Sequence, residues 1–198
     1  MKPWITVCLP FIFTCSLYAQ EPVPSKKQVK ASHRREVVKK LKEGGLLVRL
    51  KTKNNTITSL RSSGKSKLAD ETEAAQSAYN REIISAFRKY YRTGPVYFFF
   101  SDYSEQLKSK NLEAVVFLND SLLPDPSIRV SSAGFLTAEF GVLEEMGIQA
   151  LIIMDDNFVQ MKKPFPYYVR TYDDLPLERN LPRVITILQE KLDRYAGN

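Results

Sequence analysis

The sequence predicts a single mixed α/β domain: a sheet with a parallel β-α-β core flanked by helices, and an antiparallel C-terminal half. Three observations predict it. Val96-Tyr97-Phe98-Phe99-Phe100 is an uninterrupted apolar run, with Gly94-Pro95 before it and Ser101-Asp102 after it. Such a run reads as a strand covered on both faces, in the middle of a sheet with helices above and below. A strand pattern and then the longest helical pattern of the chain lead into it, and strand, long helix, strand is the grammar of a unit whose strands run parallel. Beyond Asn119 the apolar runs shorten and turn residues separate them, as in antiparallel hairpins.

The elements follow in order. Residues 1–19 read as a secretory signal peptide: Lys2 is the basic start, Trp4 to Phe13 an apolar core too short to span a bilayer, and Ala19 the small residue before Gln20. The expected location is therefore exported, periplasmic or secreted. Acylation at Cys15 is the lipoprotein alternative, to which the preceding Phe13 and Thr14 are poorly suited. Residues 20–43 form a basic arm, with a tether from Gln20 to Ser32 and a short helix from His33 to Glu43 that Gly44-Gly45 ends. Residues 44–198 are the domain itself. Leu46 to Thr52 is its first strand and Asn54-Asn55 a turn.

From Leu68, the positions Thr72, Ala75, Tyr79, Ile83, Phe87 and Tyr90 step by three or four and share one helical face. Acidic residues near the start (Asp70, Glu71, Glu73) and basic ones near the end (Arg88, Lys89, Arg92) suit the helix dipole. After the aromatic strand come a short helix (Ser104 to Lys110) and a strand (Glu113 to Leu118). Short strands are then expected at 128–130, 135–140, 150–154, 158–161 and 167–172. A helix from Pro182 to Tyr195 buries Val184, Ile185, Leu188 and Leu192.

Composition removes several function classes. Both cysteines, Cys8 and Cys15, lie in the signal segment, so the exported chain relies on its own core rather than on disulfides. About 180 residues suffice for that. His33 is the only histidine and belongs to the basic arm, which argues against histidine or cysteine metal sites, thiol nucleophiles and a serine–histidine–acid triad. No cofactor and no metal is called for. The formal net charge of +7 suits an acidic partner, but much of the excess sits in Lys26, Lys27, Lys30, Arg34, Arg35, Lys39, Lys40 and Lys42. That concentration marks the arm rather than a nucleic-acid site.

The motifs are few. Ser59 to Ser66 ends like a phosphate-binding loop but has Ser59 where glycine is needed and starts too far from the strand, so it reads as a turn with Ser66 capping the long helix. Asp125 with Glu139 resembles the acidic pair that metal-dependent nucleases carry on adjacent strands, with Gly141 in place of the lysine. Asp102, Asp120, Glu139, Asp155, Asp156, Asp173 and Asp174 supply carboxylates for a hydrolase, with Asp102 and Glu139 the catalytic candidates. Most of them adjoin turn signals, where Asp serves local hydrogen bonds. Lys162 to Asp174 is the most functional-looking stretch: strand alternation places Tyr168, Arg170 and Tyr172 on one face, where the rings stack on sugars while the cation holds an anion.

Gly45 to Thr52, Pro95 to Ser104, Phe117 to Ser121 and Lys163 to Pro176 together resemble an uncharacterised family of exported proteins from Bacteroidetes-type bacteria. The resemblance implies export and supplies no catalytic residues, because that family has no assigned activity. The expected function is non-catalytic: binding of an anionic or sugar-like ligand of the cell envelope. The alternative is a carboxylate-based hydrolase of glycosidase or nuclease type, with or without a divalent metal.

Overall fold

A computed structural model describes residues 25–131, 134–172 and 174–197. The signal segment and Asp173 lie outside the described residues. The first element, α1 (Lys26–Lys39), starts well before His33 because Ser25 and Gln28 form a reciprocal capping box: the Ser25 hydroxyl accepts from the Gln28 amide at 3.3 Å, and the Gln28 side chain accepts from the Ser25 amide at 2.7 Å. Residues 26–32, expected as tether, are thus helical. A π-helical turn (Lys40–Gly44) continues α1 to Gly45, whose φ of +92° only glycine adopts readily.

The strand β1 (Leu46–Leu50) follows, and then α2 (Asn54–Ser62) occupies the place where a turn was expected. The turning is done instead by Lys53, in the left-handed region, and by Gly64 before α3 (Ser66–Tyr90). The phosphate-loop-like segment is therefore the end of α2 plus a turn, and the Ser66 side chain makes no cap. On α3 the C-terminal half buries Ile83 and Phe87 as expected, but Leu68 is 48% exposed. Its N-terminal half packs on α2 rather than on the sheet, turning Ala69, Gln76 and Asn80 inward instead.

The aromatic run is β2 (Val96–Phe100), followed by α4 (Ser104–Lys108) and a two-residue β3 (Phe117–Leu118). The expected longer strand is cut short by a 3₁₀ turn at Leu112–Ala114, which the Asn111 side chain caps. Then come β4 (Leu136–Leu143), β5 (Ile148–Met154), β6 (Tyr168–Arg170) and α5 (Leu177–Gly197). Residues 128–130 form no strand, and 158–161 contributes only a Met154–Gln160 bridge.

The fold class is as expected: one six-stranded mixed sheet, ordered β3-β2-β1-β4-β5-β6, flanked by helices. Two details differ. The strand in the middle of the parallel group is β1, parallel to both β2 and β4, so the C-terminal half joins the parallel core through β4 before turning antiparallel. And the long helices α1, α3 and α5 share one face, over Val48, Phe98, Ala138, Leu151 and Val169. The other face, with Leu47, Phe99, Phe117 and Phe135, is covered by Leu107 of α4 and by loop residues Ile128, Val130 and Phe158. Chain order therefore reverses between β1 and β4, and open α/β sheets place ligands outside the carboxyl ends of strands at such a reversal.

Two core tyrosines make stability pH-dependent at the alkaline end. Tyr91 and Tyr195 are buried and their hydroxyls have no hydrogen-bond partner among the described residues. Burial pushes both phenols above their ordinary range; the polar side chain of Thr93 opposes the shift at Tyr91, and the positive charge of Arg34 opposes it at Tyr195. A raised pKa in the fold means that unfolding releases a proton once the pH passes the ordinary tyrosine value near 10. Stability is therefore intact below pH ~10 and is expected to fall above it, on the order of 1.4 kcal/mol per pH unit for Tyr91. Urea midpoints from pH 8 to 12 check this: a flat profile contradicts it, and Tyr91→Phe should flatten the slope.

Candidate functional site

The carboxyl ends of β1 and β4 carry the polar residues that the reversal of chain order predicts. Alternation along β1 sends Val48 and Leu50 to the helix side and Leu47 and Arg49 to the other. A cation in so apolar a strand needs a partner, and the β1–β4 register supplies one by setting Arg49 opposite Glu139. Their side chains, 29% and 18% exposed, form an ion pair with Nη1 to Oε2 at 2.5 Å. Nε of Arg49 donates to the Ser104 hydroxyl at 2.8 Å, and that hydroxyl donates to the Ser101 carbonyl at 2.5 Å. The Phe158 ring lies 6.0 Å from the guanidinium carbon. The guanidinium is thus held by strand, helix and loop together.

Beside this pair the sheet face carries its smallest side chains. Gly141 lies two residues beyond Glu139 on the same face, and its cross-strand row runs through Ala150 to Arg170; the next row is Glu139, Ile152, Tyr168. Gly141 and Ala150 are the smallest residues available, and both are buried because neighbouring side chains close over the row. A Cβ at Gly141 would stand 3.6 Å from Oε1 of Glu139 and 3.8 Å from Nζ of Lys51, so opposite charges overhang one point. Lys51 is positioned from behind: its carbonyl accepts from the buried Asn80 side chain at 2.9 Å, and Asn80 in turn accepts from Gln76 at 3.1 Å. Neither Lys51 nor Arg170 has an acidic partner among the described residues.

The sequence-derived candidates divide accordingly. Glu139, Tyr168 and Arg170 share this face. Asp102, at the end of β2, contacts the side chains of Thr52 (3.4 Å) and Asn54 (3.3 Å), tying the end of β2 to the start of α2. Tyr168 is half-buried beside Ala150, Ile152 and Met154. Tyr172 is elsewhere: β6 ends at Arg170, the alternation stops, and Asn180 bonds both backbone groups of Tyr172. Its ring packs on the helix-side core under Arg183, 4.3 Å from the ring centre. Arg49 and Lys51 belong to no motif of the sequence, although an arginine inside Leu46-Leu47-Val48-Arg49-Leu50 is a visible signal of a charge with a fixed partner.

The nuclease pair is not assembled. Asp125 stands beyond β3 while Glu139 is on β4, with β2 and β1 between, so three strand spacings, or about 14 Å, already separate the two strands. Asp125 accepts from the amide and hydroxyl of Ser127, which hold its carboxyl below the usual range. Asp155 likewise accepts from the amides of Asn157 and Val159 in its own turn. Among the described residues no three His, Cys, Asp or Glu side chains converge as metal ligands. A separate groove of about 950 Å³ runs beside β3, between Leu112–Phe117 and Pro124–Val130, and holds Asp125 at its edge.

No family model matches the chain, and no curated protein or solved structure matches it.

Proposed function

We propose that the protein is an exported, envelope-associated binding protein that holds an anionic or sugar-like ligand against the sheet face beside β4, and that it belongs with the exported proteins its strand segments resemble. One observation carries the binding reading: two cations without acidic partners among the described residues, Lys51 and Arg170, stand along the Gly141–Ala150 row on the face of Glu139, next to the half-buried ring of Tyr168. A ring beside cations accommodates the flat face of a sugar while the cations attract its carboxylate or sulfate. Glu139, with one oxygen taken by Arg49, has a second that accepts from sugar hydroxyls. The apolar segment at residues 1–19 supports export, and no helix of the described residues is long and apolar enough to cross a membrane. Asp102 and Glu139 both already have donors, which fits recognition better than proton transfer.

Calorimetric titration with an oligo-uronate and with its carboxyl-reduced neutral counterpart tests the reading. The acidic oligosaccharide should bind, with an affinity that weakens between 50 and 300 mM salt, and Lys51→Ala/Arg170→Ala should weaken it at least tenfold. Equal binding by the double variant, or none of either sugar at millimolar concentration, removes the reading.

A further inference from the structure

On the opposite, helical side of the molecule, a pocket of about 270 Å³ lies between α1 and the end of α5. It is independent of the sheet face. Its lining combines apolar Val38 and Ala196 with four cations, Arg34, Arg35, Lys39 and Lys42, and one carboxylate, Glu43. Arg35 and Lys39, four apart, form one stripe of α1, with Arg34 and Val38 on the neighbouring stripe, and Lys42 follows from the π-helical turn. Lys39 is paired with Glu43 at 3.8 Å, a solvated i,i+4 contact worth little. Arg34, Arg35 and Lys42 have no acidic partner among the described residues.

The second observation is a pair of unsatisfied polar atoms. Nε of Arg34 is buried and has no hydrogen-bond partner among the described residues, and the same holds for the Tyr195 hydroxyl. The Arg34 guanidinium carbon lies 5.6 Å from the centre of the Tyr195 ring, a cation–π contact that restrains the side chain. Both unsatisfied atoms lie under neighbouring groups and not on the pocket surface, so it is the remainder of the Arg34 guanidinium that lines the pocket. A guanidinium restrained by a ring, with more cations one turn away, suits a tetrahedral oxyanion that takes several donors at once. The apolar part of the lining suits a short carbon substituent on that anion.

We propose that this pocket binds a phosphate group, with the Arg34 fork as the principal donor, Arg35 and Lys42 as flanking cations, and Val38 and Ala196 against the carbon attached to the phosphate ester. The phosphate belongs either to a soluble phosphomonoester or to a lipid headgroup, and the two sources are separable.

The experiment uses the mature chain with inorganic phosphate, glycerol phosphate, and vesicles of phosphatidylglycerol or of phosphatidylcholine. Inorganic phosphate and glycerol phosphate at 10 mM should raise the melting temperature by several degrees over a chloride control of matched ionic strength. Arg35→Gln/Lys42→Gln, which removes exposed charges and leaves the core intact, should lose most of that rise. Arg34→Gln should abolish it, and the surface double variant keeps the test valid if Arg34→Gln does not fold. A lipid source is shown by co-flotation with phosphatidylglycerol vesicles, absent with phosphatidylcholine and lost in the same variants. A soluble source is shown by the thermal response without selective flotation. Lys51→Ala/Arg170→Ala should leave every response unchanged; if it removes the phosphate response, phosphate sits on the sheet face and the proposal fails. No rise with either soluble anion together with equal flotation on both vesicles also overturns it.

Discussion

Gly44→Ala is expected to destabilise the protein by about 3 kcal/mol or more, lowering the melting temperature by roughly 10 °C. The reason is backbone, not side-chain, crowding. A Cβ at Gly44 would stand 1.6 Å from the carbonyl oxygen of Gly134 and 2.7 Å from its carbon, and neither atom is the free end of a flexible group. The contact lies where the chain enters β1 and where it enters β4; the Leu136 amide donates to the Gly45 carbonyl at 3.2 Å immediately beside it. A methyl group here must push the starts of the two strands apart, and the Arg49–Glu139 pairing depends on their register. Ligand binding should therefore fall along with stability, even at temperatures where the variant remains folded. Gly64→Ala is the control: its Cβ meets nothing within 4 Å, so only the left-handed φ of +73° opposes it, at about 1 kcal/mol. Chemical denaturation of the two variants checks the difference, and a Gly44→Ala protein within 1 kcal/mol of wild type would show that the two backbones do not meet there.

Glu139→Ala is expected to cost about 2 kcal/mol, and more than Arg49→Met. Removing the carboxylate leaves the Arg49 guanidinium facing only the Ser104 hydroxyl, with Lys51 close to the vacated space and repelling it. Breaking a fully buried pair costs roughly 3–5 kcal/mol; the partial exposure of this one brings the figure down. Arg49→Met is milder because the methylene packing is kept and Lys51, already near Glu139, takes over the charge. Oligo-uronate binding should separate the two in the same direction: Arg49→Met keeps the acceptor on this face, Glu139→Ala does not. A double-mutant cycle reads the coupling directly. A coupling below about 0.5 kcal/mol, or Arg49→Met costing more than Glu139→Ala, contradicts this account.

How far the sequence reaches differs between strands and site. Val96–Phe100 and Leu46–Leu50 are legible because a buried strand needs no alternation, and the long helix between them makes them parallel. The short elements are harder. Asn54-Asn55 resembles a turn, yet the turning is done by Lys53 and a helix starts at once, because the packing of Ile57 and Ala69 between α2 and α3 outweighs the local preference of asparagine. Likewise 128–130 has a strand composition, but no strand lies beside it to pair with; Ile128 and Val130 instead cover the sheet face that no long helix covers.

By itself the sequence determines the mixed α/β class, the parallel unit and the apolar strands, since these follow from periodicity and from turn residues that act within a few positions. It also shows that Glu139, Tyr168 and Arg170 are polar or aromatic residues within strand patterns. Which residues meet is decided by sheet order and register alone. Placing β4 beside β1 joins Arg49 to Glu139 across 90 positions. Ending β6 at Arg170 sends Tyr172 to the other face. Packing the end of α5 on α1 turns a basic arm into the wall of a pocket. Those pairings are non-local, and no pattern within a single segment encodes them.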